Sequence, residues 1–162
     1  MVRLLPILLL VGTVQAEEVP ITGVVQSRCT IQTDTPGVYG NPNAYTLSTA
    51  PADGGVVPIV RYDVSLADAY KAQITYPTSF SAAPAANDTV TFTGSVDVQA
   101  VGDVAMADYQ TDSVTFDQTR EYDLTATGST WFKIESTATN GGDKAFPGGT
   151  YRAVVQAECI AQ

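Results

Sequence analysis

Between residues 89 and 101 polar and apolar positions alternate without a break: Thr89, Thr91, Thr93, Ser95, Asp97 and Gln99 form one set, and Val90, Phe92, Gly94, Val96, Val98 and Ala100 the other. A two-residue period gives each set its own face of a β-strand, whereas a helix would scatter the apolar set around its circumference. The segment therefore predicts a strand buried on one side. The same period returns in Val60, Tyr62, Val64 and Leu66, set against Arg61, Asp63 and Ser65, and in Tyr70, Ala72, Ile74 and Tyr76, set against Lys71, Gln73 and Thr75. Val114 with Phe116, and Tyr122 with Leu124 and Ala126, carry it further. Phe132 and Ile134 then oppose Trp131, Lys133, Glu135 and Thr137. No helical period emerges after residue 16.

Turn-forming clusters separate these runs: Thr35-Pro36-Gly37, Gly40-Asn41-Pro42-Asn43, Asp53-Gly54-Gly55, Asn140-Gly141-Gly142-Asp143 and Pro147-Gly148-Gly149. Glycine tolerates positive φ and proline fixes its own φ, so the chain reverses at these points. Many short strands with such punctuation predict an all-β, antiparallel sandwich. Residues 79–87, rich in Ser, Ala and Pro, read as a long surface connection, because a split there would leave two pieces too small for separate cores.

The first and last strands hold the chain's two cysteines. Ile21, Gly23, Val25, Ser27, Cys29 and Ile31 share one face of the first, and Tyr151, Ala153, Val155, Ala157 and Cys159 share one face of the last. Both cysteines fall on the face expected to be buried. The chain opens with Arg3, an apolar stretch from Leu4 to Val11 and the small-residue pattern Val14-Gln15-Ala16, which reads as a cleaved export leader over residues 1–16. That leaves residues 17–162 as a single domain. Export leads to an oxidising compartment, where a Cys29–Cys159 disulfide would tie the end strands together; two free buried thiols are the alternative. The leader's apolar run falls short of a membrane span, and no later segment approaches the roughly 20 apolar residues that one needs.

Composition narrows the chemistry. With Lys+Arg 8 against Asp+Glu 17 the formal net charge is −9, which repels nucleic acid and anionic lipid. There is no histidine, which removes the usual general base and the commonest metal ligand, and paired cysteines would leave no thiolate. No spacing singles out a pair of acids for glycoside cleavage. The expectation is a non-catalytic protein with no catalytic residues, no cofactor and no assigned metal. Asp103, Asp108 and Asp112, and Asn140 with Asp143, are acidic loop groups that match no regular calcium-loop spacing. Trp131, the only tryptophan, falls on an outward strand position. There it either stacks on a sugar ring or anchors a protein contact, or else covers a sheet edge or lies under residues 79–87.

The leader, the early run Ile21-Thr22-Gly23-Val24-Val25-Gln26-Ser27-Arg28-Cys29-Thr30-Ile31 and the late run Pro147-Gly148-Gly149-Thr150-Tyr151-Arg152-Ala153-Val154-Val155 resemble bacterial fimbrial subunits of the chaperone–usher type. The resemblance covers the start of the mature chain and its closing strand. It implies an immunoglobulin-like sandwich lacking its final strand, with a groove filled first by a periplasmic chaperone and then by the N-terminal extension of a like subunit, a form of β-strand addition. Carried onto this chain, the groove residues are Ile21, Val25 and Ile31 from the first strand and Tyr151, Ala153 and Val155 from the last. Two functional expectations follow. One is an exported structural or adhesive subunit of the bacterial envelope, periplasm or cell surface; the other is a self-contained secreted sandwich that binds a glycan or surface protein as a monomer, with Trp131 as contact.

Overall fold

In the computed structural model, which describes residues 22, 28–65, 69–86 and 88–162, the alternating runs are strands and no α-helix occurs among the described residues. In chain order they are β1 (Arg28–Thr35), β2 (Gly40–Asn43), β3 (Thr46–Ser48), β4 (Ile59–Ser65), β5 (Tyr70–Thr75), β6 (Phe80–Ala82), β7 (Val90–Val101), β8 (Val114–Phe116), β9 (Thr119–Leu124), β10 (Gly128–Asn140), β11 (Arg152–Ala153) and β12 (Gln156–Ala161). All their pairings are antiparallel. The first sheet is organised by β10, whose one edge pairs with β7 and whose other edge pairs with β4 and then, further along, with β3. β1 lies outside β4 and β2 outside β3. The second sheet runs β12-β5-β9-β8, and β6 with β11 makes a small separate ribbon.

The inward sets of both sheets meet in one core. Val60, Tyr62 and Val64 of β4, Val96 of β7, and Phe132 and Ile134 of β10 pack against Ala72 and Ile74 of β5 and Tyr122 and Leu124 of β9. Phe132 is fully buried, with ring centroids 5.4 Å from Tyr62 and 4.5 Å from Tyr122. A buried tyrosine must find a partner for its hydroxyl. Tyr122 donates to the Val96 carbonyl at 2.6 Å, and Tyr62 to the Glu158 carbonyl at 3.1 Å, so each phenol crosses from one sheet to the other. Met106 and Tyr109, from the connection after β7, close one end of the core. Gly128 makes room for Met106: its φ is +136°, and a Cβ there would stand 2.6 Å from the Met106 Cε.

A disulfide joins Cys29 of β1 to Cys159 of β12, with Cα atoms 6.4 Å apart. It links the two sheets at strands that are both terminal in their sheets. Closing a loop of 130 residues stabilises the fold by about 5 kcal/mol in the chain-entropy picture.

Four local expectations are corrected. Gly40-Asn41-Pro42-Asn43, expected as a turn, is strand β2, and the chain reverses one step later at Ala44 and Tyr45. The alternation of β7 breaks at Gln99, because Trp131 pairs with Ala100 but Phe132 with Val98. This bulge turns Val101 toward the core and leaves Ala100 exposed. Val114 and Phe116 are 51% and 54% exposed, since β8 is a short edge strand beyond the reach of the opposite sheet. Residues 79–87 are more than a connection: Phe80–Ala82 forms β6, with Phe80 packed in an aromatic cluster with Phe92, Phe146 and Tyr151. The leader and Leu66 lie outside the described residues.

Two outcomes are expected. Phe132→Ala should cost about 3–5 kcal/mol in urea unfolding, as a large ring lost from a closed core. Burial raises the Tyr62 and Tyr122 phenols well above their ordinary range. Groups whose folded pKa is raised stabilise the fold fully below the unfolded value, about pH 10, and lose that contribution as pH rises further. Absorbance titration should therefore show part of the tyrosine signal appearing only together with loss of near-ultraviolet circular dichroism.

Candidate functional site

The sandwich is open along one side. Among the described residues β1 pairs only with β4 and β12 only with β5, so each presents one backbone edge without a strand beside it. Between these edges runs a groove of about 820 Å³. Ile31 and Thr33 of β1 form one wall; Ala157 of β12, Ala153 of β11, and Tyr151 and Val155 beside these strands form the other. Its floor is Leu47, Thr49, Val60 and Ser136, all buried beneath it.

The two-residue period explains the walls. On β1 it directs Cys29, Ile31 and Thr33 to one side, and on the last strand it directs Tyr151, Ala153, Val155, Ala157 and Cys159 to the facing side. Ile31, expected on a buried face, is 36% exposed because the side chain looks into the groove and not onto a facing strand. Polar groups of the floor are satisfied within the protein. The Ser136 amide donates to the Thr49 hydroxyl at 2.9 Å, and the Tyr39 and Ser136 hydroxyls share a hydrogen bond at 2.8 Å. Burial raises the Tyr39 phenol above its ordinary range, partly offset by the Ser136 contact. An apolar occupant can therefore cover this floor without stranding a buried donor.

The two ends of the groove differ. At one, the lining stops at Ile31 and Ala157, and two residues further along each strand stand Cys29 and Cys159. At the other lie Gly37, Gly148 and Gly149 with Tyr39, Phe146 and Tyr151. Phe146 and Tyr151 pack edge to face with centroids 5.2 Å apart. Among the described residues Arg152 is the only charged one along the lining, so in an acidic protein they bring no carboxylate to the groove.

Four residues named from the sequence, Ile31, Tyr151, Ala153 and Val155, line this one groove. Ile21 and Val25 lie outside the described residues. The floor residues Leu47, Thr49 and Ser136 carried no sequence signal: β3 is three residues long, too short to display a period, and Ser136 is a polar residue at an inward position. Trp131 lies elsewhere, half-buried on the outer face, between Arg61 of β4 and Ala100 of β7. Because β10 is a central strand, Trp131 does not cover a sheet edge.

Acidic side chains with perturbed titration face solvent-side partners and not the groove. The Lys71 ammonium, then the Gln73 amide, hold the Glu121 carboxyl below its ordinary range, and Lys144 does the same for Asp88. Asp103 caps a 3-10 turn by accepting from the Ala105 amide. Among the described residues no three acidic, Cys or His side chains converge in a way that could hold a metal.

The apolar groove walls should bind the dye 1-anilinonaphthalene-8-sulfonate, and the double substitution Ile31→Ser with Val155→Ser should lower that fluorescence. Both positions are only partly buried, so the cost in stability should stay near about 1 kcal/mol each. No known protein family, no curated protein and no solved structure matches the chain.

Proposed function

We propose that the chain is an exported, non-catalytic subunit of a fimbria-like surface assembly, and that its groove accepts an extended strand from a second copy of itself. The observation that carries this reading is an apolar slot between β1 and the closing run of β11 and β12, in which, among the described residues, β1 and β12 each have one edge without a strand beside it. Open edges are templates for strand pairing. A strand laid between them gains main-chain hydrogen bonds on its edges and buries alternate side chains against Leu47, Val60 and Val155, which is recognition by β-strand addition. In this reading the sandwich is immunoglobulin-like with one strand supplied from outside.

The occupant is the segment of residues 21–26 that precedes β1, so that in this reading Ile21 and Val25 belong to the donor and not to the groove wall. Ile21, Gly23 and Val25 fall on one face of an extended chain, and no charged residue occurs from Ile21 to Ser27. An uncharged alternating segment suits a groove whose lining lacks carboxylates in a protein of net charge −9. Until a like subunit arrives, a periplasmic chaperone strand would cover the same apolar floor.

The test is a surface fraction of the source cell run unheated and boiled on a non-reducing gel. A ladder that boiling collapses to one band of about 15 kDa is expected, and Ile21→Asp, which puts a charge into the donor face, should abolish it. A single monomer band under both conditions would overturn the assembly reading and leave a self-contained module that binds a glycan or surface protein through Trp131.

A further inference from the structure

Resting on the groove reading above, we infer that the Cys29–Cys159 disulfide is a stop that closes one end of the groove and thereby fixes the direction and register of the strand that enters. A strand hydrogen-bonded between two neighbours needs about 4.8 Å on each side, hence roughly 9–10 Å between the flanking backbones. At the bridge the Cα atoms of β1 and β12 are only 6.4 Å apart. The same two-residue period that sends Ile31 and Ala157 into the groove sends Cys29 and Cys159 into line with them, so the bridge lies across the slot and not beside it. A second tie stands next to it. The Tyr62 hydroxyl of β4 donates to the carbonyl of Glu158, the residue before Cys159.

The far end has no such barrier. Gly37, Gly148 and Gly149 line it; Gly37 and Gly149 pack against Pro58 and Pro84, while a Cβ placed on Gly148 would meet nothing within 4 Å, so the way out lies on the Gly148 side. A donor segment at residues 21–26 is tethered at its C-terminal end to its own sandwich through Ser27 and Arg28. The tether needs the open end, so the donor's N-terminal end must point at the disulfide. β1 runs from Cys29 at the closed end toward Gly37 at the open end, which makes the donor parallel to β1 and antiparallel to β12. From Ile31 to Pro36 the wall is about 20 Å long, room for roughly six extended residues. Pro20 cannot donate to a ladder and belongs where pairing ends. That sets Ile21 deepest, with Pro20 leading residues 17–20 out of the slot before the bridge, and Val25 toward the open end; a bulky group attached directly to the Ile21 amine lacks that turn.

The probe is a peptide of residues 21–27 carrying fluorescein either directly on the α-amine of Ile21 or at the C-terminus, with binding to the oxidised full-length mature chain read by anisotropy. The C-terminally labelled peptide should bind, and the N-terminally labelled one about tenfold or more weaker. In the double variant Cys29→Ala, Cys159→Ala, where the Tyr62 tie still holds the sheets, the difference should shrink. Equal binding of both labelled peptides to the oxidised chain overturns the stop and leaves the groove reading standing. Failure of both labelled peptides and of the unlabelled competitor to bind overturns the groove reading and the stop with it. The oxidised chain alone decides between these outcomes should the double variant not fold.

Discussion

Every backbone amide and carbonyl in a β-sheet needs a partner, and a two-sheet sandwich meets this demand only where its strands have neighbours. In this protein β10 is satisfied on both edges along its length, and the core built on it is closed around Phe132, Tyr62 and Tyr122. β1 and β12 are satisfied on one edge each. The rest of the architecture follows from that asymmetry: a filled core at the centre of β10, an apolar groove along one side, and a covalent tie where the two half-paired strands converge.

The tie resolves a conflict between stability and access. An open side costs the sandwich the burial that another strand would supply, and edge strands of opposite sheets have nothing between them to keep them in place. The disulfide constrains the unfolded chain through a long loop, and so compensates without filling the groove. The Tyr62 hydroxyl reinforces it from inside the core, because a buried phenol must donate somewhere and the Glu158 carbonyl is within reach. The groove thus ends at the disulfide on one side and at glycines and edge-to-face aromatics on the other.

Charge is arranged to match. Acidic residues are spent on outward ion pairs, as at Glu121 and Asp88, or on turn caps such as Asp103, while the described groove lining is mostly aliphatic, aromatic and hydroxyl, with Arg152 its one charge. Net negative charge around a slot that carries no carboxylate among the described residues disfavours nonspecific association.

The sequence by itself determined the secondary structure, the inward faces of most strands and the two cysteines' shared orientation, because a period of two residues is a local property that side-chain polarity writes directly into the chain. It failed where the period was interrupted or too short to read: the bulge at Gln99, the edge strand at Val114 and Phe116, the three-residue strands β3 and β6. Only the tertiary structure decided that β1 and β12 are edge strands facing one another, that Ile31 looks into a groove and not onto a packed sheet, and that Leu47, Thr49 and Ser136 form its floor. Those are matters of which strand lies beside which. Strand order depends on contacts between residues far apart in the chain, and no local pattern of polarity encodes it.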